Sequence, residues 1–193
     1  MSANTKAISN SIASQRHDHI IAWFAALAIA IHVLESVIPS PIPGIKIGLA
    51  NIVTIIVLVH FGWRTAAWVS LLRVLIGSLI IGSFLSPTFV LSLSGACASL
   101  IVIGLAYTLL GDKLSALGYS VLAAIAHILA QFWAAYWLFI PHDALFHLLP
   151  VLLTVAIITG IVNGILALAV QKRLKPLIYE SIHTDEQSAK SSQ

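Results

Sequence analysis

With 193 residues, 59% of them hydrophobic, only 9% charged and a mean hydropathy of +1.00, the chain lies far outside the soluble globular class, where about a quarter of residues are charged. It reads as an all-α, polytopic membrane protein. The net charge of +3 is small and gathers at the ends of apolar segments, which argues against nucleic acid as a partner and marks membrane orientation instead.

Residues 1–19 form a polar tail with Lys6 and Arg16. They lack the plan of a cleaved leader, so the first apolar segment is expected to stay in the membrane. That first span, residues 20–38, carries Trp23 near its start and Ala22, Ala26 and Ala30 at i, i+4 and i+8. The alanines make one smooth stripe, suited either to internal packing or to the helix of a partner protein. His32 and Glu35, three residues apart, share a face of the same span.

The stretch ESVIPSPIPGIKIGLAN, residues 35–51, separates the first span from the second. Pro39, Pro41 and Pro43 cannot sit together in a helix interior, so the first helix is expected to end near Ile38. Gly44 permits a tight re-entry, Lys46 opens the second span at residues 46–61, and Asn51 is the first polar residue inside it. The break reads either as a lid over polar groups or as a rigid turn whose lysine meets lipid headgroups. The many Ile and Val residues of span two suit a lipid environment.

The third span, residues 65–81, carries Arg73 near its middle, flanked by Ser70 and Gly77. Span four, residues 88–110, has Ser92, Gly95 and Ser99 along one small, weakly polar side. Span five, residues 116–140, holds His127 and Gln131 at i, i+4, then Trp133, Tyr136 and Trp137 approaching the interface, where amphipathic aromatics are favoured. Span six, residues 148–170, holds Thr159, Gly160, Asn163 and Gly164 and runs into Lys172, Arg173 and Lys175. Residues 173–193 are expected to form a polar, disordered tail. The domain plan is thus two polar tails around a six-helix unit spanning residues 20–172.

Six spans place both ends on one side. Lys6, Arg16, Arg64, Lys113, Lys172, Arg173 and Lys175 fall at the ends and in the even-numbered loops, against Lys46 alone near an odd-numbered loop. The positive-inside rule then makes both termini cytoplasmic and turns the first loop outward.

Glu35 and Arg73 are the costly residues, because a charge at the centre of an inserted helix costs about 2.5–3.5 kcal/mol on insertion scales. Three solutions are open for Arg73: pairing with Glu35, holding an anionic or carbonyl group of a ligand, or reaching loop carbonyls and the interface. Asn51, His127, Gln131 and Asn163 are cheaper, and each alone suits a hydrogen bond between helices. Their spread over spans two, five and six, added to the charges of spans one and three, fits a shared interior cavity. The candidate ligand-binding set is Lys46, Asn51, Arg73, His127, Gln131 and Asn163, with Glu35 in support.

No P-loop and no H-E-x-x-H occurs, and no serine or cysteine nucleophile sits in a base-bearing motif. The single Cys97 allows neither an intramolecular disulfide nor a cysteine metal cluster. The seven acids are dispersed, whereas metal–diphosphate chemistry needs clustered carboxylates. Catalysis is therefore the weaker expectation, and no cofactor is expected.

The segment Pro41-Ile42-Pro43-Gly44-Ile45-Lys46-Ile47-Gly48-Leu49-Ala50-Asn51 resembles the Gx transporter family, also labelled heptaprenyl diphosphate synthase component I. Phe61-Gly62, Arg73 with Gly77, and Ser94-Gly95 with Ser99 extend the likeness over roughly residues 20–172. The family is similar to the substrate-binding S components of energy-coupling-factor transporters. That likeness implies six helices in a bacterial cell membrane and a solute pocket under the first loop. It also implies small residues on the first helix, here Ala22, Ala26 and Ala30, facing a transmembrane coupling subunit that works with ATPases. The synthase label sits against the absence of any DDxxD motif, and implies an accessory membrane subunit whose partner holds the metal and the carboxylates. Three functions are thus open: the solute-binding component of a transporter, then a non-catalytic component of polyprenyl diphosphate synthesis, and last a purely structural membrane scaffold.

Overall fold

A computed structural model of the protein describes residues 19, 21–35 and 49–191. The proline-rich break, with Lys46, lies outside the described residues. Among the described residues every regular element is helical. The apolar helix α1 spans Ile21–Glu35, α2 spans Leu49–Phe61, α3 Trp63–Ile81 and α4 Pro87–Leu110. A 3-10 turn at Gly111–Lys113 leads to α5, Ala116–Leu138, and a second at Asp143–Leu148 leads to α6, Leu149–Ser191.

Local chemistry fixes the boundaries. The N–H groups of Gly82 and Ser83 return to the carbonyls of Leu79 and Ser78 at 3.2 and 2.9 Å, and Gly82 takes the left-handed φ of 74° that ends α3. Ser86 then caps α4, its hydroxyl accepting from the Phe89 N–H at 3.3 Å, with Pro87 in the first turn where no N–H is needed. Ser115 caps α5 through the Gly118 N–H in the same way.

Three helices, α3, α4 and α5, together with the segment Asp143–Arg173, are long and apolar enough to cross a membrane; α1 and α2 are shorter apolar helices over the residues described. Leu79, Ile80, Ile101, Leu105, Leu109, Ile158 and Ile165 are exposed on the outer faces, as lipid-facing positions are. The protein is thus a six-helix, multi-pass membrane protein, four of whose helices have the length and composition of full spans.

Two expectations need correction. The Ile- and Val-rich α2 does not face lipid along most of its length. It packs against α3, α5 and α6, and Val53, Ile55, Val57 and Leu58 are buried in the main core, the last two completely. A helix that is apolar all round satisfies a protein interior as well as a bilayer, so composition alone does not separate the two. The C-terminal tail, expected to be disordered from residue 173, continues α6 as helix through Ser191. Once a long helix exists, each further residue other than Pro176, which has no N–H, adds a hydrogen bond without a new nucleation step.

Small residues set the closest approaches. A Cβ on Gly164 would lie 2.7 Å from the Leu117 Cα, and one on Gly160 3.1 Å from the Val121 Cα, so α5 and α6 meet backbone to backbone. Trp63 packs over Gly104 and donates its indole N–H to the Leu100 carbonyl at 2.9 Å, tying the start of α3 to α4. Phe24 of α1 meets Phe61 of α2 with ring centroids 5.4 Å apart.

Candidate functional site

The main cavity, about 310 Å³, draws on every helix. It receives His32 and Glu35 from the end of α1, Asn51 from the start of α2, and Arg73 and Val74 from α3. Helix α4 adds Thr88, Leu91 and Ser92 from its start, α5 adds Ala124, His127, Ile128 and Gln131 from its middle, and α6 adds Leu152, Val155, Ala156, Thr159 and Asn163. Successive helices run in opposite directions, so these positions share one end of the bundle. Within each helix they recur at spacings of three and four, which puts them on one face.

Arg73 is the centre of the polar network. It is buried, at 6% exposure, and its Nη1 donates to the Asn51 Oδ1 at 2.8 Å. Glu35 lines the same cavity, and its charge acts favourably on the guanidinium. The Arg73 Nε is buried and meets no acceptor among the described residues. Burying a guanidinium this deep costs several kcal/mol unless its donors are used.

His127 packs against α4, where the absent side chain of Gly95 makes room: a Cβ there would fall 2.7 Å from the imidazole Cε1. Its Nδ1 lies 3.2 Å from the Ser99 Oγ, which also lies 2.6 Å from the Gly95 carbonyl and 3.2 Å from the Ala123 carbonyl. Carbonyls only accept, and the hydroxyl has one proton to give. The pattern therefore assigns the imidazole proton to Nδ1, donating to the Ser99 Oγ, and leaves Nε2 as an acceptor in the neutral ring. On α1, His32 makes the matching contact with α3, over Gly77, where a Cβ would lie 2.8 Å from the ring.

A second, smaller cavity of about 20 Å³ lies beside the first. Asn51, Arg73 and His127 border both, and Thr54, Ser70 and Ser99 line the smaller one. Towards the end of α5, Phe132, Trp133, Tyr136 and Phe146 form an edge-to-face aromatic cluster, and the Tyr136 hydroxyl reaches the Asp143 Oδ1 at 3.4 Å.

Of the residues proposed from sequence, Asn51, Arg73, His127, Gln131 and Asn163 come together around the one cavity, with Glu35 beside them. Lys46 lies outside the described residues. His32, Thr88, Ser92 and Thr159 also line the cavity but were not in the candidate set. Each had a signal: His32 is three residues from Glu35, Thr88 four from Ser92, and Thr159 four from Asn163. The alanine stripe is placed outward. Ala22, Ala26 and Ala30 are exposed, while Ala25 and Ala28, on the other side of α1, are the alanines buried in the bundle.

A helical membrane protein with an internal, polar-centred cavity at one end is the class that fold and site define. The family model for heptaprenyl diphosphate synthase component I matches residues 24–170, and the chain belongs to that family. No curated protein and no solved structure matches it.

Proposed function

We propose that this chain is a membrane-embedded, solute-binding component that acts with partner subunits instead of catalysing a reaction itself. The observation that supports this most is the convergence of polar side chains from all six helices on one cavity in an otherwise apolar bundle. Largely apolar cavities with a few convergent polar groups suit small-molecule recognition, and buried polar groups in hydrocarbon are costly unless they are used.

Family membership favours an accessory role in polyprenyl diphosphate synthesis. In this reading a separately encoded enzyme supplies the metal-binding carboxylates, and this chain supplies the membrane seat. The second reading is a solute-binding subunit of a transporter, with Lys46, Asn51, Arg73, His127, Gln131 and Asn163 around the solute and Ala22, Ala26 and Ala30 against a coupling subunit. It is favoured by the outward placement of those alanines, which leaves a smooth helix face unused by the bundle.

Native mass spectrometry of gently purified protein separates the two. A soluble prenyltransferase held by the chain, with prenyl diphosphate formation in membranes falling when the chain is deleted, supports the accessory role. Retention of a membrane coupling subunit with ATPases, and ATP-dependent solute uptake lost on deletion, supports the transporter instead.

A further inference from the structure

The charge of the main cavity restricts what it can hold. Among the described residues that line it, Arg73 is the one cation and Glu35 the one carboxylate, so their formal charges cancel. A diphosphate group brings several negative charges. Burying these requires several cations, or a magnesium ion held by carboxylates together with the phosphate oxygens. One arginine, already bonded to Asn51 and facing a carboxylate, does not meet that need.

The volume of about 310 Å³ is on the scale of small-molecule pockets, which run from about 300 to 1,000 Å³. The lining also has a defined polarity. Arg73 Nη1 is spent on Asn51 and Nε is buried, which leaves Nη2 as the remaining donor of the fork. Ser92, Gln131 and Thr159 add neutral donors and acceptors across the cavity, between apolar surfaces from Val74, Leu91 and Ile128.

We propose that the cavity takes a small solute, neutral or singly negative, which presents a carboxylate or carbonyl oxygen to Arg73, and that diphosphates bind elsewhere. This rests on the reading of the cavity as a binding site. Under the accessory role, the diphosphate substrates stay with the catalytic partner, and this chain responds to a different, less charged molecule.

The test keeps the body of the probe constant and changes its head. Isopentenyl diphosphate with magnesium, the corresponding carboxylate and the corresponding alcohol are titrated by saturation-transfer NMR into full-length protein in lipid nanodiscs. The carboxylate is expected to bind at least tenfold more tightly than the diphosphate. Arg73→Gln should bring the carboxylate down to the level of the alcohol, and Ser92→Leu, which fills the cavity, should remove all binding. Arg73→Lys, which keeps the charge, serves if the glutamine variant does not fold, and should retain a preference for carboxylate over alcohol. Diphosphate binding equal to or tighter than the carboxylate, lost in Ser92→Leu, would overturn the proposal while leaving the cavity a binding site. Absence of binding by all three probes, or binding unaffected by Ser92→Leu, would overturn the binding reading and the proposal with it.

Discussion

Arg73 and Asn51 show what a polar residue in an apolar helix does and does not reveal. Each stands out as an anomaly against its neighbours, which is why both were legible as site candidates. Their direct bond, across 22 positions, was not, because it depends on which helices become neighbours. Pairing with Glu35 was the more visible option from charge alone. The bond carries a prediction. Asn51→Leu leaves the buried guanidinium without its acceptor and is expected to cost about 1–3 kcal/mol or more. The double variant Asn51→Leu/Arg73→Met should recover part of that loss, since two apolar groups are better tolerated than one orphaned charge. Thermal unfolding of the two variants in one detergent checks the order, and a double variant less stable than the single one would refute it. His127 gives a second test. Gly95→Val drives side-chain atoms into the imidazole and is expected to cost about 1–3 kcal/mol through overpacking. Ser99→Ala, which removes only the hydroxyl beside Nδ1, should cost about 1 kcal/mol.

At the level of elements, the helices themselves were largely readable, because long apolar segments punctuated by glycine, proline and serine leave few alternatives. The spacing of His127 and Gln131 placed that pair on one helix face before any neighbour was known, and the same spacing of Thr88 with Ser92 and of Thr159 with Asn163 carried an equal signal. What stayed hidden was which way each face turned. Apolar α2 reads the same whether lipid or protein surrounds it, and the alanines of α1 read the same whether buried or outward. Two substitutions separate these roles. Gly164→Leu forces α5 and α6 apart where the Leu117 backbone closes on the glycine, and should sharply reduce the yield of monodisperse protein. Ala26→Leu, on the exposed side of α1, should leave the melting temperature within about one degree, since surface substitutions fall within about ±0.5 kcal/mol. Any effect of Ala26→Leu should appear in retention of a partner. A large fall in melting temperature would place Ala26 in internal packing instead.

For the whole molecule, the cavity residues lie at one end because consecutive helices alternate in direction, and an even number of spans returns the chain to its starting side. The basic residues predict that this side is cytoplasmic, so the cavity would open outward. Single cysteines at Asn4 and Ser83, introduced after Cys97→Ser, give the check. Ser83 should react in intact cells with a membrane-impermeant reagent, and Asn4 only after permeabilisation; the reverse pattern would invert the orientation. The enclosed position of α2 has a consequence for biogenesis. This helix emerges from the ribosome second, yet α3, α5 and α6, all made later, are among the helices that cover it. Until α6 arrives, the groove meant for it remains filled by lipid and Asn163 is missing from the polar end. A chain halted after α5 therefore presents an unfinished bundle to membrane quality control. Such a truncation should be degraded rapidly in cells, and supplying α6 as a separate segment should restore its half-life, making the last helix the one that commits the newborn protein to survival.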